Sequence, residues 1–147
     1  LIEDCVDLVS HVLNTSDITL KRDFDTVPPV QINQVEFQQV IINLLVNAAQ
    51  AMPNGGVLTL RVHDIEKDGK AGVQITVQDT GVGIDPEPLG HVFDPFFTSK
   101  IGVGTGLGLS ISQSLVDQTG GQIWAKSEVG VGSAFFVWIP ALDILPS

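Results

Sequence analysis

The sequence is poor in positive charge and has almost no cysteine, and each shortage excludes a class of function. Its 147 residues include 7 Lys and Arg against 17 Asp and Glu, which gives a formal net charge of −10. Because a nucleic-acid surface needs Lys and Arg to displace counterions from phosphates, no nucleic-acid partner is expected. The single cysteine, Cys5, excludes an internal disulfide and a cysteine zinc site, and we expect it to be a small buried side chain.

Long apolar runs are also absent. No run approaches the roughly 18 residues that a bilayer span needs, and no basic segment leads into an apolar one. We therefore expect a cytoplasmic chain without direct membrane contact. Since the sequence starts at Leu1 rather than Met, we interpret it as a fragment of a longer protein, which could itself be membrane-anchored. With 44% apolar and 16% charged residues, positions 1–147 are expected to form a single domain.

The apolar periodicity predicts a mixture of helices and strands. Helical spacing is found over residues 1–14, from a cap at Asn33 to about Met52, and over 107–118. Strand-like alternation is found over 18–24, 57–64, 72–79, 122–127 and 133–139, with a hairpin signal at Asp68-Gly69. Residues 80–103 are rich in Gly and Pro and should be mostly loop. The pattern predicts an α+β two-layer sandwich, a mixed and mostly antiparallel sheet with about three helices on one face.

The second predicted helix carries two asparagines that its apolar face does not explain. Asn43 and Asn47 are four positions apart, so they lie one turn apart on a different face. Asn is unfavourable in a helix interior. The pair therefore indicates either a solvated stripe or a site for magnesium or phosphate, because amide carbonyl oxygens suit that cation. The core face itself spans an arc of about 100° and comprises Phe37, Ile41, Leu44, Leu45, Ala48 and Met52.

Asp79 ends a row of apolar side chains. In the strand predicted over 72–79, alternate apolar residues share one face, and the Asp79 carboxylate falls on that face. A carboxylate in such surroundings is destabilising unless a group donates to it. Asp79 is then either a capped strand end that accepts from nearby amides, or an acceptor for a ligand. An adenine amino group would be a suitable donor, with its ring flat against the backbone of Gly81 and Gly83.

A glycine-rich run over residues 102–109 leads directly into the third predicted helix. Glycines at a helix N-terminus expose backbone amides to an anion, and the helix dipole adds positive potential, so a triphosphate could bind there. The run is not the dinucleotide fingerprint, because no strand directly precedes it, and it lacks the Gly-Lys-Ser/Thr ending of a P-loop. Lys100 is the one nearby base and suits a point contact with a phosphate.

In this order the features resemble the catalytic ATP-binding domain of sensor histidine kinases, within the GHKL ATPase superfamily. The resemblance covers nearly the whole chain and implies a Bergerat-type fold. It is carried by an N box at 36–52, a first glycine box at 79–84, an F box at 93–100, a second glycine box at 104–109 and a last glycine segment at 130–133.

The resemblance implies a role for each site residue. Asn47 would coordinate Mg²⁺ and Asn43 would lie close to the phosphates of ATP. Asp79 would accept from the adenine amino group, and Ser133 would support it through water. Lys100 would touch the terminal phosphate. The full set implied to contact Mg-ATP is Asn43, Asn47, Asp79, Gly81, Gly83, Lys100, Gly104, Thr105, Gly106, Leu107, Gly108 and Ser133.

The segment from Phe93 to Gly104 would be the mobile ATP lid. Phe93, Phe96 and Phe97 would anchor the lid, meet the partner domain or serve only as packing residues of the loop. Only three residues separate Lys100 from Gly104, a short lid that resembles the nitrogen-regulation and oxygen-sensing kinase subgroups.

Asn43 separates a kinase from a hydrolase. Relatives that hydrolyse ATP, such as DNA gyrase, mismatch-repair ATPases and heat-shock chaperones, carry Glu at this position as the general base for water. Asn cannot take a proton at working pH. The resemblance therefore implies a protein histidine kinase that keeps the γ-phosphate for a histidine nucleophile and relies on positioning and charge neutralisation, with Asn43 and Lys100 as catalytic candidates.

The phosphoacceptor is expected elsewhere. The resemblance places it on a histidine-bearing dimerisation domain of the same parent protein, where an acidic residue follows the histidine. His11 is followed by Val12, so a surface or packing role is expected for it. The outward-facing His63 is expected to have no role, and His91 is expected as a polar cap on the lid. The resemblance also implies a downstream response regulator, two-component signal transduction and a monomeric isolated fragment.

Two alternatives remain open. A GHKL serine kinase of the anti-sigma type would have a different lid and would need no histidine hairpin. A non-catalytic nucleotide-sensing scaffold would keep the fold and transfer nothing.

Overall fold

The computed structural model describes residues 6–7, 17–28, 30, 32–94 and 108–141, apart from the side chains at 87 and 88. Five strands and three helices lie within these ranges. In chain order they are β1 (Ile18–Phe24), α1 (Gln34–Gln50), β2 (Gly56–Asp64), β3 (Gly72–Asp79), α2 (Pro86–Leu89), α3 (Gly108–Gln118), β4 (Gln122–Glu128) and β5 (Gly132–Pro140).

The strands form one mixed sheet in the order β1-β2-β3-β5-β4. β1 pairs with β2 in parallel, and the other three neighbouring pairs are antiparallel. The predicted hairpin between β2 and β3 is confirmed: Asp68 and Gly69 have φ values of 51° and 82°, the positive φ at both central positions that a type I′ turn requires. The mostly antiparallel sheet is therefore as predicted.

Helix α1 packs on the sheet through the apolar face that its spacing predicts. The side chain of Asn33 caps it, since Oδ1 accepts from the backbone N–H of Glu36 at 3.1 Å. The cap lies where the sequence predicts it. All six predicted core positions are buried, and they join buried strand residues such as Leu58 and Phe135 in one core.

Helix α3 packs against α1 and β4, which completes the helical layer and confirms the two-layer α+β sandwich. The first predicted helix, residues 1–14, lies outside the described residues except for Val6 and Asp7, which are helical. Val6 is 3% exposed and belongs to the core. Within the described ranges no helix is both long and apolar enough to span a bilayer.

Polar and aromatic side chains line the opposite face of the sheet. Trp124 and Phe136 stack there with ring centroids 5.3 Å apart, and Lys67 Nζ lies 4.0 Å from the centre of the Trp124 ring. Arg61 and His63 of β2 lie on this outward row, as predicted for His63, so the helices and the core face the other side.

Candidate functional site

Asp79 is the last residue of β3 and is 2% exposed, so its carboxylate lies at the buried end of the apolar row, as predicted. Oδ1 accepts from the backbone N–H of Gly81 at 2.9 Å and from that of Ser133 at 3.1 Å. The second oxygen, Oδ2, is buried as well. The two backbone donors stabilise a carboxylate in apolar surroundings, and the residue presents a concentrated acceptor at one end of the sheet.

The loop after Asp79 is held by close backbone contacts. A Cβ on Gly81 would overlap the carbonyl oxygen of Ala51, at the end of α1. Gly83 has a φ of +78°, and a Cβ there would overlap the carbonyl oxygen of Glu128, at the end of β4. The sequence predicts close approach of a ligand at these glycines. In the structure the chain's own backbone makes that approach, which fixes the loop around the carboxylate.

Ser127 of β4 links the segments that surround Asp79. Its Oγ accepts from the backbone N–H of Ile84 at 2.7 Å and donates to the carbonyl of Gly132 at 3.1 Å. It also lies 2.7 Å from Oγ of Ser133. Ser127 is not among the site residues that the sequence predicts. It is identified only by the β4–β5 register of the folded chain, which pairs it with Ser133.

Ser133 supports Asp79 through its backbone N–H, while its hydroxyl is directed to Ser127. The preceding Gly132 has a φ of +141°, and a Cβ there would overlap the carbonyl oxygen of Asp79. The start of β5 thus lies directly against the end of β3. The expected support of Asp79 by Ser133 through water stays a prediction.

Asn43 of α1 joins that helix to the start of α3. Its Nδ2 donates to the carbonyl of Gly108 and to Oγ of Ser112, both at 3.1 Å, and its Oδ1 accepts from Nε2 of Gln39 at 2.7 Å. Ser112 is fully buried, and its hydroxyl donates to the same Gly108 carbonyl at 2.8 Å. The structure therefore brings together two predicted site residues, Asn43 and Gly108, and adds Gln39 and Ser112, which the sequence analysis does not identify.

Asn47 lies one turn further along α1 and is half-buried. Within the described ranges its side-chain amide makes no hydrogen bond. In the same ranges no group of three or more His, Cys, Asp and Glu side chains could hold a metal ion. The residues singled out in the sequence that lie outside the described ranges are Cys5, His11, Phe96, Phe97, Lys100, Gly104, Thr105, Gly106 and Leu107.

Phe93, the first residue of the F box, packs on the core. Its ring meets that of Phe135 edge to face, with centroids 6.2 Å apart and an interplanar angle of 82°. The neighbouring Val92 is 3% exposed. The chain is therefore anchored on β5 at the start of the segment predicted as a lid, which agrees with the anchoring role expected for Phe93.

The two described histidines both contact carboxylates. Nδ1 of His91 lies 2.9 Å from Oδ2 of Asp94. Nδ1 of His63 lies 2.6 Å from Oδ2 of Asp25, and its Nε2 lies 3.4 Å from Asp23. The hydrogen bond to Asp25, reinforced by the charges of both aspartates, raises the pKa of His63 above its usual value. His63 thus takes part in an ion-pair cluster, where the sequence predicts no role.

These elements combine complementary electrostatic features. The Asp79 end of the sheet offers buried acceptor oxygens, while Gly108 begins α3, whose N-terminus carries a partial positive charge from the helix dipole. Asn43 and Asn47 lie on the helix next to Gly108. A ligand with a donor group at one end and an anion at the other, such as an adenine nucleotide, fits this polarity.

Comparison with known proteins places the chain in a family. Residues 32–143 match the model described as histidine kinase-, DNA gyrase B- and HSP90-like ATPase. The sensor kinase CckA of Brucella abortus is 43% identical over 139 residues, covering 86% of this chain and 15% of that protein. The sensor histidine kinase ZraS of Escherichia coli K12 is 39% identical over 141 residues, covering 95% of this chain and 29% of that protein.

Solved structures of histidine kinases have the same fold as this chain. The catalytic domain of histidine kinase ThkA has a TM-score of 0.81 at 30% identity, covering 95% of this chain and 90% of that one. ThkA in complex with the response regulator protein TrrA has a TM-score of 0.78 at 27% identity, covering 96% of this chain and 39% of that one. The chain spans less than a third of the length of CckA or of ZraS. It belongs to the family of histidine kinase-, DNA gyrase B- and HSP90-like ATPases, and within it to the catalytic ATPase domains of sensor histidine kinases.

Proposed function

We propose that this chain binds Mg-ATP and supplies the γ-phosphate that phosphorylates a histidine on a separate dimerisation domain, in two-component signal transduction. The observation that carries the proposal is the buried Asp79 carboxylate, held by the amides of Gly81 and Ser133 at one end of the sheet. A ligand bound there must donate a hydrogen bond, and the exocyclic amino group of adenine is such a donor. Membership of an ATPase family supports ATP as the nucleotide.

The helical layer suits the phosphates and the metal. The Asn47 amide makes no hydrogen bond within the described ranges, so its carbonyl oxygen can serve a hard cation. When bound, Mg²⁺ would neutralise charge on the phosphates during transfer. Gly108 offers a backbone amide at the positive end of α3. By resemblance, the remaining phosphate contacts are assigned to Lys100, Gly104, Thr105, Gly106 and Leu107.

Asn43 favours transfer over hydrolysis. Its amide has no basic atom that could take a proton from water, and its Nδ2 already donates to Gly108 and Ser112. A neutral imidazole nitrogen attacks phosphorus with its own lone pair while the bond to ADP breaks, so the attacking atom itself carries no proton that a base must remove. Positioning of the γ-phosphate is then the main contribution that this chain's residues make to the reaction.

The partners follow from this reaction. The acceptor histidine is proposed to lie on a dimerisation domain of the same parent protein, and a response regulator to take the phosphoryl group from it. The complex of ThkA with TrrA supports such a partner. Residues 1–147 are proposed to form a single catalytic domain that is monomeric alone and works in the cytoplasm, where ATP is available.

The direct test mixes the chain with ATP labelled at the γ-phosphate, Mg²⁺ and the purified histidine-hairpin domain proposed for the same parent protein. We expect acid-labile, alkali-stable phosphate on the hairpin, and none when the chain is omitted. An Asn47→Ala chain should bind ATP at least about tenfold more weakly with Mg²⁺, and with little change in EDTA. Release of free phosphate without labelling of the hairpin would instead indicate a hydrolase and contradict the proposal.

A further inference from the structure

Ser127 lies where three segments around Asp79 meet. Its Oγ accepts from the N–H of Ile84, donates to the carbonyl of Gly132 and lies 2.7 Å from Oγ of Ser133. Ser133, which is 5% exposed, donates through its backbone N–H to Oδ1 of Asp79. The hydroxyl of Ser127 is therefore one hydrogen bond away from a residue that contacts the carboxylate.

The number of hydroxyl protons on Ser127 and Ser133 determines the direction of the hydrogen bonds between them and their neighbours. A hydroxyl has one proton and two lone pairs. For all three contacts of Ser127 to exist together, its proton must go to Gly132, and one lone pair must accept from Ile84. The proton between the two hydroxyls must then come from Ser133. Ser133 Oγ is left with lone pairs only.

These lone pairs are on the side of the sheet that carries the site. Ser133 is two positions before the buried Phe135 in β5, so both side chains are on the core face. Asp79 is on the same face, two positions after the buried Val77. The end of the sheet therefore presents two acceptors side by side, a carboxylate and a hydroxyl that cannot donate.

We infer that Ser127 is a positioning residue that sets the base selectivity of the nucleotide site, because it keeps Ser133 as an acceptor. This inference rests on the proposed ATP binding and specifies how it discriminates. Two acceptors favour a base edge that donates, such as the amino group of adenine, and disfavour the carbonyl edge of guanine. Without the Ser127 hydroxyl, the proton of Ser133 is free to turn toward a carbonyl, and discrimination weakens.

The test compares ATP and GTP binding, by calorimetry with Mg²⁺, for the unmodified chain and for Ser127→Ala. We expect the ratio of the GTP Kd to the ATP Kd to fall by about three- to tenfold, the size of one net hydrogen bond. Ser127→Thr keeps the hydroxyl and should restore the ratio. If Ser127→Ala does not fold, as judged by circular dichroism, Ser127→Cys gives the same comparison because a thiol is a much weaker acceptor.

Thr119 provides a matched control. Its hydroxyl also donates to a backbone carbonyl, that of Val116 at 2.6 Å, and accepts from a loop amide, that of Gly121 at 3.2 Å. Thr119 precedes the start of β4, whereas Ser127 is near its end, so the two hydroxyls lie at opposite ends of that strand. Thr119→Val should therefore lower thermal stability and leave the ratio of the two Kd values unchanged.

A double-mutant cycle distinguishes a specific effect of Ser127 on the Ser133 hydroxyl from a general loosening of the loop. In a Ser133→Ala background, Ser127→Ala should no longer change the ratio, because no hydroxyl proton remains to be redirected. A further change in that background would overturn the inference, as would an unchanged ratio in Ser127→Ala alone while the unmodified chain prefers ATP. Neither result affects the proposed function. Failure of the unmodified chain to bind ATP would overturn both.

Discussion

The side-chain amide of Asn43 donates to the hydroxyl of Ser112 at 3.1 Å, which joins two helices across 69 positions of sequence. Both groups also bond the carbonyl of Gly108, so the three residues form a closed triangle. The helix with the two predicted site asparagines is thus attached to the first turn of α3, immediately after the segment predicted to hold phosphates.

Asn43→Asp should destabilise the fold even without nucleotide. The change keeps the size of the side chain, removes the two hydrogen bonds donated by Nδ2 and turns a carboxylate toward the carbonyl of Gly108. We expect the free energy of unfolding to fall by about 2 kcal/mol in urea denaturation. Asn47→Asp is the control on the same helix, and it should lower the free energy of unfolding by less than about 1 kcal/mol. Equal losses in the two variants would contradict the role of the triangle.

Asp79→Asn should abolish nucleotide binding while the fold persists. The asparagine can still accept from Gly81 and Ser133 through Oδ1, but it replaces one acceptor oxygen with a donor. We expect ATP affinity by calorimetry to fall by about a hundredfold or more. Asp64→Asn, at the exposed end of β2, is the control and should change the ATP affinity little. Unchanged affinity in Asp79→Asn would remove the adenine assignment.

Gly83→Ala should be much more damaging than Gly130→Ala. The two glycines have nearly the same φ, +78° and +82°, so an alanine is strained at both by about 1–2 kcal/mol. No atom lies within 4 Å of a Cβ at Gly130, whereas a Cβ at Gly83 would overlap the backbone at Glu128. The difference between the two free energies of unfolding isolates the close contact. A similar value for both would show that the loop can move aside.

Stability should depend on pH through His63. Its pKa is raised mainly by the hydrogen bond to Asp25 and further by the charges of Asp25 and Asp23, against the opposing effects of burial and Arg61. The folded state therefore binds the proton more tightly than the unfolded state. The stabilisation is complete below the unfolded pKa of about 6.5 and is lost as pH rises through the folded pKa.

The measurement is the melting temperature of the unmodified chain and of His63→Gln across pH. The substitution should lower the melting temperature more at about pH 6, below the unfolded pKa, than at an alkaline pH above the folded pKa of His63. Asp25→Asn removes the first cause of the shift and should flatten the same dependence. A constant difference between the two chains at every pH would show that the ion pair contributes nothing.

Local patterns predicted much of this fold correctly. The alternation over residues 72–79 predicted that Asp79 would share a face with the apolar row, and the helical spacing predicted six buried positions, five of them in α1 and the sixth, Met52, just after it. Asn33 and Asp68-Gly69 identified a helix start and a turn, because cap and turn chemistry depends on neighbouring residues only. Each of these features is encoded locally, either in the periodicity of the apolar residues or in a short motif.

The contacts that complete the site depend on packing and could not be predicted in this way. The bond between Asn43 and Ser112 requires that α1 and α3 lie side by side. Gly81 and Gly83 could be recognised as sites of close approach, but not that Ala51 and Glu128 would be the groups that approach them. Ser127 could not be identified because a serine in a strand gives no signal until its partners are known.

The parallel pairing of β1 with β2 has a consequence for how the chain folds. The chain between them, residues 25–55, includes α1, and parallel neighbours can be joined only by such a crossover. The antiparallel β2–β3 hairpin can close locally and early, whereas β1 cannot reach its place until the helix has crossed the sheet. The rate-limiting step of folding should therefore be the one that docks α1, so the two asparagines reach the site only as the edge of the sheet is completed.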